Sequence, residues 1–146
     1  MSPARAGRNR GYVLDSNALV GLFEDRKGTA ARIERLLEQA LREERPLLMS
    51  AVNWGEVLYV IWRRHGEETA HNAETRMREM PLAVIAADRD RASRAAALKQ
   101  KHNLGYADAF AAELALEHNA WLVTADPEFS KVGSKLSVYS LPRYEK

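Results

Sequence analysis

Acidic residues stand at four places in this chain where carboxylates could do chemistry together. Asp15 ends an apolar run, Glu56 lies inside an apolar segment, Asp108 heads an alanine-rich segment, and Asp126 follows a second apolar run. Most have an ordinary explanation taken singly. Asp15 could cap a helix, and Asp126 could do so just ahead of Pro127. Asp108 would sit favourably near the positive end of a helix. Glu56 is harder to explain, because helical spacing puts it on a stripe with Val52, Tyr59 and Val60, and an unpaired buried charge is very costly. Convergence would change the reading of all four. Carboxylates a few ångströms apart repel and raise each other's pKa, and a divalent cation removes that repulsion. The chain has no cysteine, and His65, His71, His102 and His118 show no close metal-ligand spacing. The available donors are therefore hard oxygens, which select Mg²⁺ or Mn²⁺ over zinc. Such a site suits phosphoryl-transfer hydrolysis, with a bound water of lowered pKa and charge stabilised on the scissile phosphate. Ser16 and Thr124 each lie close to an acid and could hold ligands or waters in place. Asn17 and Asn53 could do the same or act as caps, and Glu113 reads as ordinary surface.

The elements that must position these residues follow from the hydrophobic pattern. After a basic stretch over residues 1–10, apolar strand-like runs alternate with helical periodicity. "YVLD" reads as a first strand and "NALVGLFED" as a short helix. "TAARIERLLEQALREE" is an amphipathic helix with Ile33, Leu36, Leu37, Ala40 and Leu41 on one stripe, and Thr29 is its expected cap. Pro46 precedes a second strand, "PLLMS". The helix "VNWGEVLYVIWRRHG" should stop at Gly66. A polar helix over residues 67–80 ends before Pro81, and "LAVIAA" is a third strand. "DRDRASRAAALKQKHN" has acids at its start and bases at its end, as the helix dipole favours. Gly105 separates it from the helix "YADAFAAELALEHN". "AWLVTAD" is a fourth strand, and "LSVYSL" a short edge strand. Wholly apolar strands separated by helices imply a parallel sheet with helices on both faces. Ligands of such sheets sit beyond the carboxyl ends of the strands, near the switch point in strand order. Asp15 and Asp126 should then project at one rim, with the first turns of the helix bearing Glu56 close by.

The totals fit that architecture. A chain of 146 residues makes about one domain with a solid core. The expected organisation is a flexible basic tail over 1–10 and a single domain over 11–146. No apolar run approaches a membrane span of about 20 residues, and the basic N-terminus lacks the apolar stretch of a secretory signal. A cytoplasmic location without membrane attachment is the expectation. The net charge of +2 is small, yet basic residues cluster: Arg5, Arg8 and Arg10, then Arg63 and Arg64, then the run from Arg89 to Lys101. Such clusters form either solvated faces or phosphate contacts.

The segments "VLDSNALVGLFE", "SAVNWGEVLY", "YADAFAAELALEHNAWLVTADPEF" and the following "SKV" together resemble a PIN-domain nuclease, and more narrowly the VapC-type toxin ribonucleases of toxin–antitoxin pairs. With the intervening helices the resemblance covers nearly the whole chain after residue 10. It implies a three-layer α/β/α sandwich with a mainly parallel sheet of four to five strands. It also implies a Mg²⁺- or Mn²⁺-dependent endoribonuclease acting on RNA. By position, Asp15, Glu56 and Asp108 match the family's metal-holding acids and Asp126 the more variable fourth. Glu128, just ahead of Phe129, competes for that fourth place. Ser16 and Thr124 match the family's hydroxyl residues beside the acids. A homodimer and a cognate antitoxin are the implied partners. The apolar Trp54, Leu58, Ile61 and Trp62 either line a groove for a partner helix or belong to the core. Arg63, Arg64, Arg91 and Arg94 are candidates for phosphate contacts.

Other uses of an acid after the first strand leave marks of their own. A haloacid-dehalogenase-type phosphatase needs a second Asp two residues on, where this chain has Asn17. A receiver-type phosphoacceptor domain needs an acceptor near Asp88, after the third strand, and a Lys after a later strand, which is missing. A PIN fold that only binds, without cleaving, is a further alternative.

Overall fold

The computed structural model describes residues 10–143. Five strands, β1 (Tyr12–Leu14), β2 (Leu47–Ser50), β3 (Leu82–Ile85), β4 (Trp121–Thr124) and β5 (Val138–Ser140), form one sheet in the order β3-β2-β1-β4-β5. Every neighbouring pair is parallel. The chain runs outward from β1 through β2 to β3, then returns to the other side of β1 for β4 and β5. The switch point therefore lies between β1 and β4, where Leu14 is in register with Val123. The basic segment expected to be flexible lies outside the described residues except for Arg10. That residue is anchored, with Nε donating to the Asn119 carbonyl at 2.9 Å and its guanidinium 4.5 Å over the Trp121 ring.

Strand alternation divides the core into two layers. Tyr12, Leu14, Leu47, Met49 and Val123 face the helices α1 (Ser16–Phe23), α2 (Ala30–Arg42), α3 (Ala51–His65) and α4 (Glu67–Glu79). Val13 and Leu122 face α5 (Arg89–His102), α6 (Tyr106–His118) and a 3₁₀ segment, Pro127–Val132. This is the three-layer α/β/α sandwich expected. No helix of the described residues is long and apolar enough to cross a membrane.

Several local expectations change once the elements pack. Thr29 sits at the head of α2 but is itself in a helical conformation and makes no capping bond through its side chain. It is buried instead, with its methyl against Gly21 of α1. A Cβ at Gly21 would come within 2.6 Å of that methyl, so only glycine lets the two helices close there. Leu41, expected on the buried stripe of α2, is 66% exposed, because the face that packs runs through Ile33, Leu36 and Ala40 and Leu41 lies one residue round the helix from it. β3 is an edge strand as well as β5, and its Val84 is 43% exposed.

Two ionic clusters tie helices together. The Glu24 carboxylate, at the end of α1, accepts from Arg26, from Arg64 at 3.1 Å and from His65 Nε2 at 2.7 Å. Burial pushes its pKa up, but these three partners outweigh burial and hold it at about 2. Glu113 is the larger surprise. Read from the sequence as surface, it is 3% exposed, between Arg91 at 3.1 Å and Arg94 at 2.7 Å. Glu117 shares both arginines and completes a clamp between α5 and α6. Removing one partner of a buried pair leaves the other uncompensated. Glu113→Ala should therefore cost about 2–3 kcal/mol, since Glu117 still neutralises part of the charge. Thermal melting should register it as a drop of roughly 5–10 °C.

Candidate active site

Asp15 follows β1 and turns the chain into α1. Its Oδ1 accepts from the backbone N–H of Ser16 at 2.8 Å, so it is a helix cap. Its Oδ2 faces the switch point and accepts from Thr124 Oγ1 at 2.8 Å and Asn17 Nδ2 at 3.0 Å. The helix cap and the oxygen that faces the switch point thus belong to one residue. Thr124, the last residue of β4, also accepts from the backbone N–H of Asp126 at 3.0 Å. Asn17 Oδ1 accepts from the backbone N–H of Ala125 at 3.0 Å. One side chain on α1 and one on β4 therefore lock the ends of β1 and β4 together around the Asp15 carboxyl.

Glu56 lies half-buried on α3, and its Oε1 accepts the Ser16 hydroxyl. Asp108 is in the first turn of α6, behind Gly105. A Cβ at Gly105 would meet Asp108 Oδ2 at 3.2 Å, so glycine at the helix head leaves room for the carboxylate. Asp126 caps the 3₁₀ segment through the backbone N–H of Glu128 at 2.9 Å. Four different elements, the turns after β1 and β4 and the helices α3 and α6, thus supply the four acids.

Their charges feel one another. Burial, then the charge of Asp108, then that of Glu56 raise Asp15 to about 7, against hydrogen bonds from Thr124 and Ser16 that lower it. Burial, then Asp126, Glu56 and Glu128 raise Asp108 to about 6. Among the described residues no three acidic or imidazole side chains stand close enough to grip an ion as they are. The donor set nevertheless fits a hard divalent cation. It is oxygen throughout, and its two most perturbed members gain most from added positive charge.

Other expected site residues fall elsewhere. Arg64, Arg91 and Arg94 are already held by Glu24, Glu113 and Glu117, which removes them as ready phosphate contacts. Arg63 has no acid partner among the described residues and lies 5.3 Å over the Tyr59 ring. Of the apolar set on α3, Ile61 is core, Trp54 and Leu58 are half-buried and Trp62 is exposed, so they do not line one groove. Glu128 is exposed and paired with Lys131. Asp88 caps α5 through Arg91 N–H at 2.9 Å, after an edge strand, and so has no place among the acids that a phosphoacceptor would need.

The family model for the PIN domain matches residues 12–135. The chain belongs to the PIN domain family. The matched span holds every residue of the acidic rim. The fold of this PIN protein is also that of solved toxin–antitoxin proteins. It is similar to VapBC2 from Rickettsia felis bound to promoter DNA, with 18% identity, a TM-score of 0.69, and coverage of 89% of this chain and 98% of that one. A toxin–antitoxin complex from Klebsiella pneumoniae is 26% identical, with a TM-score of 0.60 and coverage of 87% and 99%. VapC20 from Mycobacterium tuberculosis, described as a sarcin–ricin loop cleaving toxin, is 16% identical, with a TM-score of 0.66 and coverage of 84% and 95%. A comparison with curated protein sequences gave no match.

The raised pKa of Asp15 has a thermodynamic sign. A carboxyl that binds its proton more tightly in the folded state contributes stability below its unfolded pKa and loses that contribution as pH rises through about 7. In EDTA the protein should be more stable at pH 5 than at pH 8, with Asp15 accounting for about 2–3 kcal/mol of the difference. Asp15→Asn keeps a capping oxygen and removes that titration. Denaturant melts of both proteins at the two pH values should show the wild type losing this amount relative to the variant.

Proposed function

We propose that this PIN protein is a metal-dependent endoribonuclease and the toxin of a toxin–antitoxin pair. One observation carries the reading: carboxyls from four elements stand at the rim around the switch point, and burial, followed by the charge of neighbouring acids, raises Asp15 to about 7 and Asp108 to about 6. A structural cluster would neutralise such charges with arginines, as Glu24 and Glu113 are neutralised elsewhere in the same chain. The toxin–antitoxin relatives, and the description of the M. tuberculosis relative as a loop-cleaving toxin, support the same reading.

In this reading Asp15, Glu56 and Asp108 hold Mg²⁺ or Mn²⁺. Asp126 is the fourth acid rather than Glu128, whose charge Lys131 already offsets. When bound, the ion supplies a water of lowered pKa and positive charge for the scissile phosphate. The chain's own groups do the positioning. Thr124 and Asn17 fix the inward oxygen of Asp15, and the Ser16 hydroxyl steadies Glu56. The unneutralised pocket repels phosphate, so productive RNA entry depends on the cation. Arg63 is the phosphate contact retained from the basic clusters, and a homodimer and a protein antitoxin complete the assembly in the cytoplasm.

Purified protein should cut total cellular RNA into discrete fragments with Mg²⁺ or Mn²⁺ and not with EDTA. Asp15→Asn should lose about 100-fold or more in cleavage rate with its fold intact by circular dichroism. Intact RNA after incubation with folded, metal-loaded protein, or undiminished cleavage by the variant, would refute the proposal.

A further inference from the structure

The side chain of Asn53 is wholly buried between α3 and α6, one helical turn ahead of Glu56. Its Nδ2 donates to the backbone carbonyl of Ala107, the residue before Asp108, at 3.1 Å. Its Oδ1 has no hydrogen-bond partner among the described residues. A residue needed only to fill this contact would be apolar, since a buried acceptor left unpaired costs about 1–3 kcal/mol. The amide sits where it joins the two elements that carry Glu56 and Asp108, and it reaches the backbone rather than a movable side chain.

We infer that Asn53 is a positioning residue that sets the spacing between Glu56 and Asp108 for divalent-cation binding. The inference rests on the nuclease reading above. Glu56 is otherwise tied to α1 through Ser16, and the carboxyl of Asp108 has no hydrogen bond to any described side chain. The Asn53–Ala107 bond is thus the polar link between the helix of Glu56 and the first turn of α6. Without it, α6 is free to shift along α3 by the small amounts that carboxylate coordination does not tolerate. Groups that orient metal ligands in this indirect way typically account for 10–100-fold in affinity.

Asn53→Leu keeps the branched shape at a somewhat larger volume and removes both the donor and the orphaned acceptor. Mn²⁺ affinity measured by calorimetry on the full chain should fall by about tenfold or more. The melting temperature in EDTA should stay level or rise. Amide exchange at residues 109–111 should quicken without change in α3. Asn53→Ser, too short to reach Ala107, gives the same loss of Mn²⁺ affinity should the leucine variant misfold. Unchanged Mn²⁺ affinity in a folded variant overturns the inference, as does a fall in melting temperature with affinity preserved, which would mark Asn53 as structural only. Failure of the wild type itself to bind Mn²⁺ overturns the nuclease reading and the role of Asn53 with it. The two failures are distinguished by which protein loses the ion.

Discussion

The Asp15 carboxyl is buried where β1 gives way to α1, in the presence of the Asp108 and Glu56 charges, and among the described residues no basic side chain neutralises it. Much of the surrounding structure is arranged to tolerate that one group. Its outer oxygen is satisfied by the backbone at the head of α1, and its inner oxygen by Thr124 and Asn17. A carboxylate accepting several such bonds is stabilised in its charged form. Burial and neighbouring acids still prevail, leaving a group poised near neutrality. A chain selected for stability alone would place an amide or hydroxyl there.

The fold contributes through the order of its strands. β1 lies at the centre, between β2, which follows helices of one face, and β4, which follows α5 and α6 of the other. Their carboxyl ends open at one rim. The first turns of α3 and α6 start beside that rim, so a single acid in each is enough to complete the group. Gly105 and Gly21 serve the same end at short range. One admits the Asp108 carboxylate, and the other lets α1 and α2 close. The two arginine-rich clusters fix helix pairs, and their arginines are already held by Glu24, Glu113 and Glu117.

Periodicity alone was enough to read the alternation of strands and helices, because alternation and helical stripes are local properties of the chain. The errors came where an element meets a particular neighbour. Thr29 was legible as a cap only so long as nothing was known of Gly21. Leu41 belongs to the stripe by spacing, but the face that packs runs through Ile33, Leu36 and Ala40 and leaves it outside. Glu113 shows the limit most clearly. An acid amid alanines reads as surface, and its burial depends on two arginines about twenty residues away whose helix folds back against its own.

Residue types and local spacing were enough to read the donor chemistry, oxygen without sulfur, and the elements on which each acid would ride. It also carried, in the ordered motifs, the PIN resemblance that the family match bears out. Packing alone settled that Asp15 caps α1 with one oxygen and faces the switch point with the other, that Lys131 offsets Glu128, and that Asn53 spans the helices of Glu56 and Asp108. The reason is range. Residue type and local spacing fix what a group can do, whereas the meeting of positions 15, 56, 108 and 126 depends on strand order, and that order is set by packing two apolar layers against one sheet.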